Sequence, residues 1–238
     1  MAHSGFRRPA PQPRTGDSTE AVEDYAKALH ALAKRCEGPV TTSALAERLG
    51  VSPGTVTAMV KRMGEMGLVE HEPYRGARLT EEGDRVALEV IRHHRLLESY
   101  LTEVLGLPWD RVHDEAEVLE HYISEELEER IAVALGHPRH DPHGDPIPDR
   151  DLGVAADRGK PLAELETGRT GVLVRVSDSD PEMLRYLAER DIMPGSRLSV
   201  GDREPFGGSV AIEVGGNVHA IGAELAHRML IATSAGKG

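Results

Sequence analysis

The stretch from Thr42 to Met66 reads TSALAERLGVSPGTVTAMVKRMGEM and decides the fold of the first third of the chain. Its first half predicts a short helix that ends at Gly50. Pro53 then stands at the first position of a second helix, where its missing N–H costs nothing. Apolar residues recur at helical spacing through both halves, namely Leu45, Leu49, Val56 and Val60. Two helices joined by so short a turn predict a helix-turn-helix.

A β-hairpin is predicted directly after these helices. Residues 68–72 and 77–79 alternate in polarity like two short strands that flank a turn. Upstream, apolar residues spaced by three and four predict one more helix over residues 19–36. We therefore expect a winged helix-turn-helix domain over residues 19–82, preceded by a disordered tail over residues 1–18.

The second helix of the motif is expected to enter the major groove of double-stranded DNA by its N-terminal half. Short hydroxyl and methyl groups stand at its start, and basic residues follow along the helix and on the wing. The candidate DNA-binding residues are Ser52, Thr55, Thr57, Ala58, Lys61, Arg62, Arg75 and Arg78. Because the start of the helix has no Arg, Asn or Gln, we expect DNA shape and apolar contacts to supply much of the sequence preference.

The composition limits the class of protein. A net charge of −12 argues against a general nucleic-acid coat, and residues 1–79 alone hold slightly more basic than acidic residues. A DNA-binding face is therefore expected only there. The single cysteine, Cys36, excludes an intramolecular disulfide and a thiolate-rich metal site. Because the sequence has no long apolar run and no signal-peptide core, we expect a cytoplasmic protein without a membrane segment.

Two long helices are predicted next, over residues 81–105 and 109–135. The second has an apolar seam formed by Val112, Ala116, Leu119, Ile123, Leu127 and Ile131. With little else for these helices to pack on, we expect a helical dimerisation domain over residues 83–138. A homodimer would place two winged helices on the two half-sites of a pseudo-palindromic operator.

Carboxylates and imidazoles share faces on these two helices. On the second helix, Glu117, Glu120 and His121 stand at positions i, i+3 and i+4, and His113 stands one turn before Glu117. On the first helix, His94 and Glu98 form an i, i+4 pair. Any one of them alone is more often an ordinary solvated residue, but the set predicts a site for a divalent cation.

The residue composition changes after the second long helix. Residues 139–168 are rich in Pro, Gly and Asp and are expected to form a linker, in which His140 and His143 are ordinary linker residues. Over residues 169–234 we expect a small SH3-like β-barrel, with strands over 171–176, 196–200, 209–214 and 229–233 and a helix over 181–189. The predicted fold class is mainly α with a small β part.

Several motifs resemble one known family. The segments RHHRLLE at 92–98, VHDEAE at 112–117 and PHGDPIP at 142–148, with Glu120-His121, resemble the diphtheria-toxin-repressor/manganese-transport-repressor family. The C-terminal part is similar to that family's SH3-like, FeoA-type domain. The resemblance implies a metal-dependent transcriptional repressor of metal-uptake genes, with Fe²⁺ or Mn²⁺ as co-repressor.

The resemblance also implies two metal sites. The primary site would join Asp24 of the first helix to Glu117, Glu120 and His121. The ancillary site would use His94, Glu98 and His113, completed by Asp178 of the C-terminal domain or, as the weaker option, by Asp180. Members without that domain can use a glutamate one turn after Asp24, where this chain has Lys27, so the two-metal cluster of that type is not expected.

The sequence leaves alternatives for the activating metal and for the class of protein. Iron-sensing members of the family have Met and Cys where this chain has Asp24 and Glu117, and hard carboxylates favour Mn²⁺. An Fe²⁺-dependent repressor is the alternative. A metallohydrolase that uses the Glu/His cluster is less expected, because Glu117 stands where zinc-protease signatures begin with His. A metal-independent winged-helix regulator is the remaining hypothesis.

Overall fold

The computed structural model describes residues 19–36, 38–72, 75–156 and 159–233. The predicted tail over residues 1–18 lies outside these ranges. The chain divides into two compact units, Met1–Val90 and Ile91–Gly238. Within the described ranges, no helix combines the length and the apolar character that crossing a lipid bilayer requires.

The first unit contains the predicted winged helix-turn-helix. Its elements are α1 (Thr19–Ala33), α2 (Thr42–Leu49), α3 (Pro53–Glu65), β1 (Val69–Glu72) and β2 (Gly76–Leu79). Thr41 caps α2 by accepting a hydrogen bond from the backbone N–H of Ala44, and Gly50 ends that helix in the left-handed region. Ser52 caps α3 in the same way, one residue before Pro53. The predicted turn is therefore confirmed in its detail.

One apolar core holds this unit together. It joins residues of all three helices to the two strands of the wing, including Val22, Leu29, Leu45, Val56, Val60, Met63 and Ala77. The two strands pair antiparallel, with Val69 opposite Leu79. This packing leaves the outer face of α3 exposed to solvent.

The helical part of the second unit differs from the prediction at one point. The helix α4 (Glu81–Glu103) contains the boundary between the units, and α5 (Val112–Leu119) and α6 (Glu125–Ala134) follow it. A single helix over 109–135 is therefore wrong. Ser124 starts α6 as its N-cap by accepting a hydrogen bond from the backbone N–H of Leu127, and the chain turns between the two short helices.

The C-terminal part of the second unit is a six-stranded antiparallel sheet around an apolar core. Its strands are β3 (Lys160–Pro161), β4 (Thr170–Val176), β5 (Arg197–Arg203), β6 (Val210–Val214), β7 (Asn217–Ile221) and β8 (Met229–Thr233), in the order β3-β8-β4-β5-β6-β7. A helix α7 (Pro181–Ala188) follows β4, and α8 (Ala223–Arg228) precedes β8. The four predicted strands and the predicted helix are present. The strands β3 and β7 and the helix α8 were not predicted.

The segment between α6 and β3 is more ordered than a linker. Asp141, His143, Asp145 and Ile147 are all buried. The backbone N–H of Val176, at the end of β4, donates to the carbonyl of His143 at 2.8 Å. This segment therefore packs on the sheet and on α4 rather than running through solvent. The predicted class, mainly α with a small β part, is confirmed.

Candidate metal centre

The helix α4 contributes two of the predicted ligands of the candidate metal centre, His94 and Glu98. His94 and Glu98 lie one helical turn apart, and their atoms Nε2 and Oε1 are 3.0 Å apart. Both residues are buried, with 5% and 0% of their surface exposed. A carboxylate at such depth requires a compensating charge, because an isolated buried ion is strongly destabilising.

Two more predicted ligands converge on this pair. His113 of α5 places Nδ1 at 3.1 Å from His94 Nε2 and at 3.3 Å from Glu98 Oε1. Asp178, just after β4, places Oδ2 at 3.4 Å from the same His113 nitrogen. One ligand atom from each of the four residues lies within 4.8 Å of those from the others. The structure thus brings together the whole predicted ancillary set.

Asp180, the weaker option for this set, has a different position. It is the N-cap of α7, and its Oδ1 accepts hydrogen bonds from the backbone N–H groups of Glu182 and Met183. Of the two candidate aspartates, Asp178 is the one in contact with His113.

The predicted primary residues of the second unit lie at the end of α5. Glu117 is in the helix, Glu120 is its C-cap, and His121 follows in the turn. Glu120 is buried, and its Oε2 lies 2.5 Å from Nδ1 of His94, while its Oε1 lies 3.6 Å from Nε2 of His121. Ligand atoms of Glu117, Glu120 and His94 also fall within 4.8 Å of one another. His94 therefore contacts both predicted ligand sets.

Asp24 lies on α1, in the first unit. Its predicted association with Glu117, Glu120 and His121 therefore joins residues of two separate units. That association stays a prediction.

The donor set fits a divalent cation of intermediate hardness. Ligand atoms around an octahedral ion with bonds of about 2.1 Å lie about 3 Å apart, which is close to the separations of His94 Nε2, His113 Nδ1 and Glu98 Oε1. Neutral imidazole nitrogens and a carboxylate oxygen at these separations could bind one shared cation in place of their mutual hydrogen bonds. Imidazole and carboxylate ligands suit Mn²⁺ and Fe²⁺.

Two residues that the sequence analysis did not select extend this cluster. His143, expected to be an ordinary linker residue, is fully buried, and its Nδ1 lies 3.6 Å from Oε2 of Glu98. Asp141 is also buried, and its ligand atom lies within 4.8 Å of those of Glu98 and His143. The expectation for His143 is therefore wrong, whereas His140 is exposed as expected. The sequence signal was the Asp-x-His-Gly spacing, which places a carboxylate and an imidazole in one tight turn.

The electrostatics of Glu98 and His143 are coupled. Burial alone would raise the pKa of Glu98, but the charge of His94 and the proximity of His94, His113 and His143 hold this pKa well below its ordinary value. Burial alone would lower the pKa of His143, but its interactions with Glu98 and Asp141 raise this pKa to about 9. The pKa of Asp141 is raised to about 8 by burial and by repulsion from Glu98 and Asp145. The ionisation of Glu98, Asp141 and His143 is thus linked through their mutual interactions.

The candidate DNA-binding residues lie on the first unit. Most of them are exposed, and Arg62 is half-buried. The hydroxyl groups of Ser52 and Thr55 contact each other at 2.8 Å, and that of Thr57 donates to the carbonyl of Pro53. On the wing, Arg75 and Arg78 both lie beside Glu72. The Thr57 methyl and Ala58 belong to the same exposed face of α3.

Comparison with known families accounts for three segments of the chain. Residues 17–77 match the N-terminal DNA-binding domain of the iron dependent repressor family, and residues 80–149 match its metal binding and dimerisation domain. Residues 160–233 match the FeoA domain. The iron-dependent repressor IdeR of Mycobacterium tuberculosis (strain ATCC 25618 / H37Rv) is 33% identical over 224 residues, which cover 89% of this chain and 96% of IdeR. The chain belongs to the diphtheria toxin repressor family.

Other members of the diphtheria toxin repressor family show the same extent of similarity. The diphtheria toxin repressor of Corynebacterium efficiens (strain DSM 44549 / YS-314) is 33% identical over 226 residues, covering 90% of this chain and 96% of that protein. A solved structure described as a manganese-dependent transcriptional repressor in complex with manganese superposes with a TM-score of 0.82 at 40% identity, covering 90% of this chain and all of that one. The family consists of DNA-binding transcriptional repressors, so the chain is a metal-dependent repressor and not an enzyme. The metallohydrolase hypothesis is not supported.

Proposed function

We propose that this repressor is activated by Mn²⁺ and controls metal-ion homeostasis in the cytoplasm by binding operator DNA as a homodimer. The observation that carries the proposal is the convergence of His94, Glu98, His113 and Asp178 on one point. Fe²⁺ is the second candidate metal, because the names of IdeR and of the matched family describe iron-dependent repressors.

The ligand types favour Mn²⁺ over Fe²⁺. The proposed primary site has carboxylates at Asp24 and Glu117, where the resemblance places Met and Cys in iron-sensing members. Replacing sulfur ligands with carboxylate oxygens favours the harder ion. The 40% identity to a repressor described as manganese-dependent supports the same choice.

The proposed mechanism depends on repulsion between carboxylates. Asp24, Glu117 and Glu120 carry like charges, which disfavour their close approach when no cation is present. A bound divalent cation supplies the positive charge that neutralises them. Asp24 then holds α1 against the end of α5, and the winged helix loses less conformational freedom when it docks on DNA. By linkage, operator DNA must raise the affinity for metal by the same factor.

The DNA contact is assigned to the exposed face of α3 and to the wing. Ser52, Thr55 and Thr57 keep their hydroxyls at the N-terminus of α3, where a helix end in the major groove reaches base edges and phosphates. Lys61 lies further along α3, and Arg75 lies on the wing, where both suit phosphate oxygens. The residues at the start of α3 have short side chains, which agrees with the expected dependence on DNA shape.

The dimer is assigned to an exposed apolar face of α5 and α6. Val118, Tyr122, Leu127 and Val133 are between 46% and 60% exposed, within the segment that matches the family's metal binding and dimerisation domain. Several large apolar side chains exposed within one segment are typical of a protein interface. Pairing two chains through this face would present two copies of α3 to the two halves of an operator.

The experiment compares metals on one operator. DNA that binds the full-length protein is selected from a random library in the presence of Mn²⁺, and its affinity is then measured anaerobically by mobility shift with Mn²⁺, with Fe²⁺ and without metal. We expect tight binding with Mn²⁺ at micromolar concentrations and weak binding without it.

The variant Asp24→Ala tests the proposed primary site. We expect it to lose the response of operator binding to Mn²⁺ while the dimer persists. The control Glu20→Ala, on the same helix, should keep the response.

Three results would contradict parts of the proposal. Activation by Fe²⁺ and not by Mn²⁺ would assign the chain to iron. An affinity that no metal changes would support the metal-independent regulator, and a full Mn²⁺ response in Asp24→Ala would remove Asp24 from the mechanism.

A further inference from the structure

We propose that Glu98, Asp141 and His143 form a third divalent-cation site, which shares Glu98 with the ancillary site and lies on its inner side. The three residues are buried, and one ligand atom from each lies within 4.8 Å of the other two. The inference rests on the proposed function only for the supply of a divalent cation to this part of the molecule.

The orientation of His143 is the first argument. Its Nε2 lies 2.8 Å from the carbonyl oxygen of Trp109, and a carbonyl can only accept a hydrogen bond, so Nε2 is the protonated nitrogen. In the neutral ring, Nδ1 then carries a lone pair directed towards Glu98. Histidines that bind metals usually donate their other N–H to a carbonyl or carboxylate in this way. The Trp109 ring stacks on the imidazole, with 5.6 Å between ring centroids, and supports the same orientation.

The two oxygens of Glu98 face different groups. Oε1 contacts His94 and His113 of the ancillary set, whereas Oε2 faces His143. Among the described residues, Glu98 Oε2 and His143 Nδ1 are both buried polar atoms without a hydrogen-bond partner. Two buried acceptors 3.6 Å apart repel unless a positive group lies between them. A cation bound to both, with Glu98 as the bridge to the ancillary site, removes that repulsion.

Asp141 is held in position by two backbone amides and lies near an arginine. Oδ1 of Asp141 accepts hydrogen bonds from the backbone N–H groups of His143 and Asp145. Its Oδ2 lies 3.7 Å from Nε of Arg95. Arg95 and Arg175 both contact Asp145. The two guanidinium groups thus lie beside Asp141 and Asp145, whereas Glu98 faces histidines.

The backbone holds this loop in one position. Gly144 has φ of +91°, and a Cβ there would lie 1.9 Å from the carbonyl oxygen of Val174. The carbonyl of His143 accepts from Val176, and the N–H of Gly144 donates to the carbonyl of Asp141. Because sheet and loop fix each other, the two side chains reach Glu98 without further ordering of the chain. Preorganised ligands of this kind bind metal at a smaller entropic cost.

One nitrogen and carboxylate oxygens suit a first-row divalent ion such as Mn²⁺ or Fe²⁺ more than Mg²⁺, which prefers oxygen alone. A proton on His143 Nδ1 is the competing occupant, since it would also compensate Glu98. The experiment must therefore detect the ion itself rather than the stability of the loop.

The first test uses the wild-type chain. Crystals of the full-length protein grown with Mn²⁺ are measured on both sides of the manganese absorption edge. We expect an anomalous peak in bonding contact with His143 Nδ1 and Glu98 Oε2, in addition to the peak at His94, His113 and Asp178. A density map with the ancillary peak alone would overturn the inference.

The second test counts ions in solution, by equilibrium dialysis against Mn²⁺ followed by elemental analysis of the protein. His143→Gln retains a side-chain N–H for the Trp109 carbonyl and removes the ligand nitrogen, and Asp141→Asn retains the acceptor for the backbone amides and removes the charge. We expect each variant to lose one Mn²⁺ per chain relative to wild type. The control His140→Gln, an exposed histidine of the same loop, loses none.

The outcomes separate this inference from the proposed function. If both variants bind as many ions as wild type, the third site is absent, whether or not Mn²⁺ activates operator binding. Asp178→Asn should lose the ancillary ion alone, and its combination with His143→Gln should lose both. Thermal unfolding of the metal-free proteins checks that each variant is folded. If His143→Gln does not fold, the number of Mn²⁺ ions bound by Asp141→Asn and the anomalous map decide whether the third site exists.

Discussion

The winged helix and the β-sheet domain have apolar cores, whereas the helical region between them buries charge. Among the described residues, the polar and charged side chains classed as buried all lie between positions 92 and 145, namely Arg92, His94, Glu98, Ser99, Glu120, Glu128, Asp141, His143 and Asp145. The apolar core of the same region is small, with Leu96, Leu97, Ala116, Ile131, Ala132 and Ile147. The two kinds of interior respond differently to ions.

Burial of apolar surface stabilises a domain whatever the solution contains. A buried carboxylate stabilises only when an opposite charge accompanies it, and its desolvation penalty otherwise dominates. The helical region therefore depends on its histidines, on its arginines and, in the proposed function, on a metal. Two predictions test this contrast and a third tests the DNA-binding surface, from the largest expected effect to the smallest.

Glu98→Gln should remove most of the stabilisation that Mn²⁺ gives to the helical region. A ligand at 1,000 times its dissociation constant stabilises the folded state by about 4.1 kcal/mol per site. The amide is a weaker ligand than the carboxylate, so we expect the Mn²⁺-dependent gain from the ancillary site to disappear. Differential scanning calorimetry with and without Mn²⁺ measures the gain.

The control for this variant lies in the β-sheet domain. Leu173→Ala empties a fully buried position and should cost about 2–5 kcal/mol, but its gain from Mn²⁺ should equal that of wild type. An equal Mn²⁺ gain in Glu98→Gln and in wild type would mean that the buried charge of the helical region does not serve metal binding.

Glu128→Gln should weaken the charged contact between α4 and α6. Oε1 of Glu128 lies 2.6 Å from Nε of Arg92, and Oε2 lies 3.0 Å from Nε2 of His93. A hydrogen bond to a charged group contributes about 1.5–3 kcal/mol, so we expect a loss in that range. Urea unfolding of the metal-free protein measures it.

The stability that Glu128→Gln loses relative to wild type should depend on pH. Burial would raise the pKa of Glu128, but His93 and Arg92 lower it below its ordinary value of 4.5, so its contribution is present above that value and is lost as pH falls. Burial would lower the pKa of His93, but Glu128 raises it above 6.5, so its contribution is present below 6.5 and is lost as pH rises. The difference between wild type and variant should therefore be largest between these values. A difference that is constant from about pH 4 to about pH 8 would contradict this.

Arg75→Ala should have the smallest effect, confined to DNA. If Arg75 contacts one phosphate, its removal weakens operator binding about equally on all sequences and lowers the salt slope by about 1. The slope of log K against log salt concentration, measured with saturating Mn²⁺, checks this. An unchanged slope would remove the wing from the interface, and Arg85→Ala, an exposed arginine on α4, is the matched control.

Local signals in the sequence were sufficient for the elements that depend on them. Gly50, Ser52 and Pro53 mark the ends of α2 and α3, and the structure confirms these positions. The ancillary ligands were predicted by resemblance and by helical spacing. His94, Glu98 and His113 converge from α4 and α5, and Asp178 joins them from the segment after β4.

The errors arise where distant contacts override local pattern. The apolar seam continues from Ala116 to Ile131, so its periodicity concealed the break that Ser124 introduces as an N-cap. The burial of His143 depends on the pairing of its carbonyl with Val176 of β4, more than thirty residues away, and nothing in a Pro- and Gly-rich segment indicates that contact. The short strand β7 follows a tight Gly-Gly turn and was missed because Val218 and Ile221 are its only strongly apolar residues.

The carbonyl of Trp109 has one more consequence, because it belongs to the main chain. Replacing the side chain at position 109 would remove the stacked ring but would leave the acceptor in place. The backbone before α5 therefore determines which nitrogen of the His143 ring carries the proton. Ligand identity in this loop can change by point mutation, whereas the direction in which a histidine presents its lone pair changes only if that backbone moves.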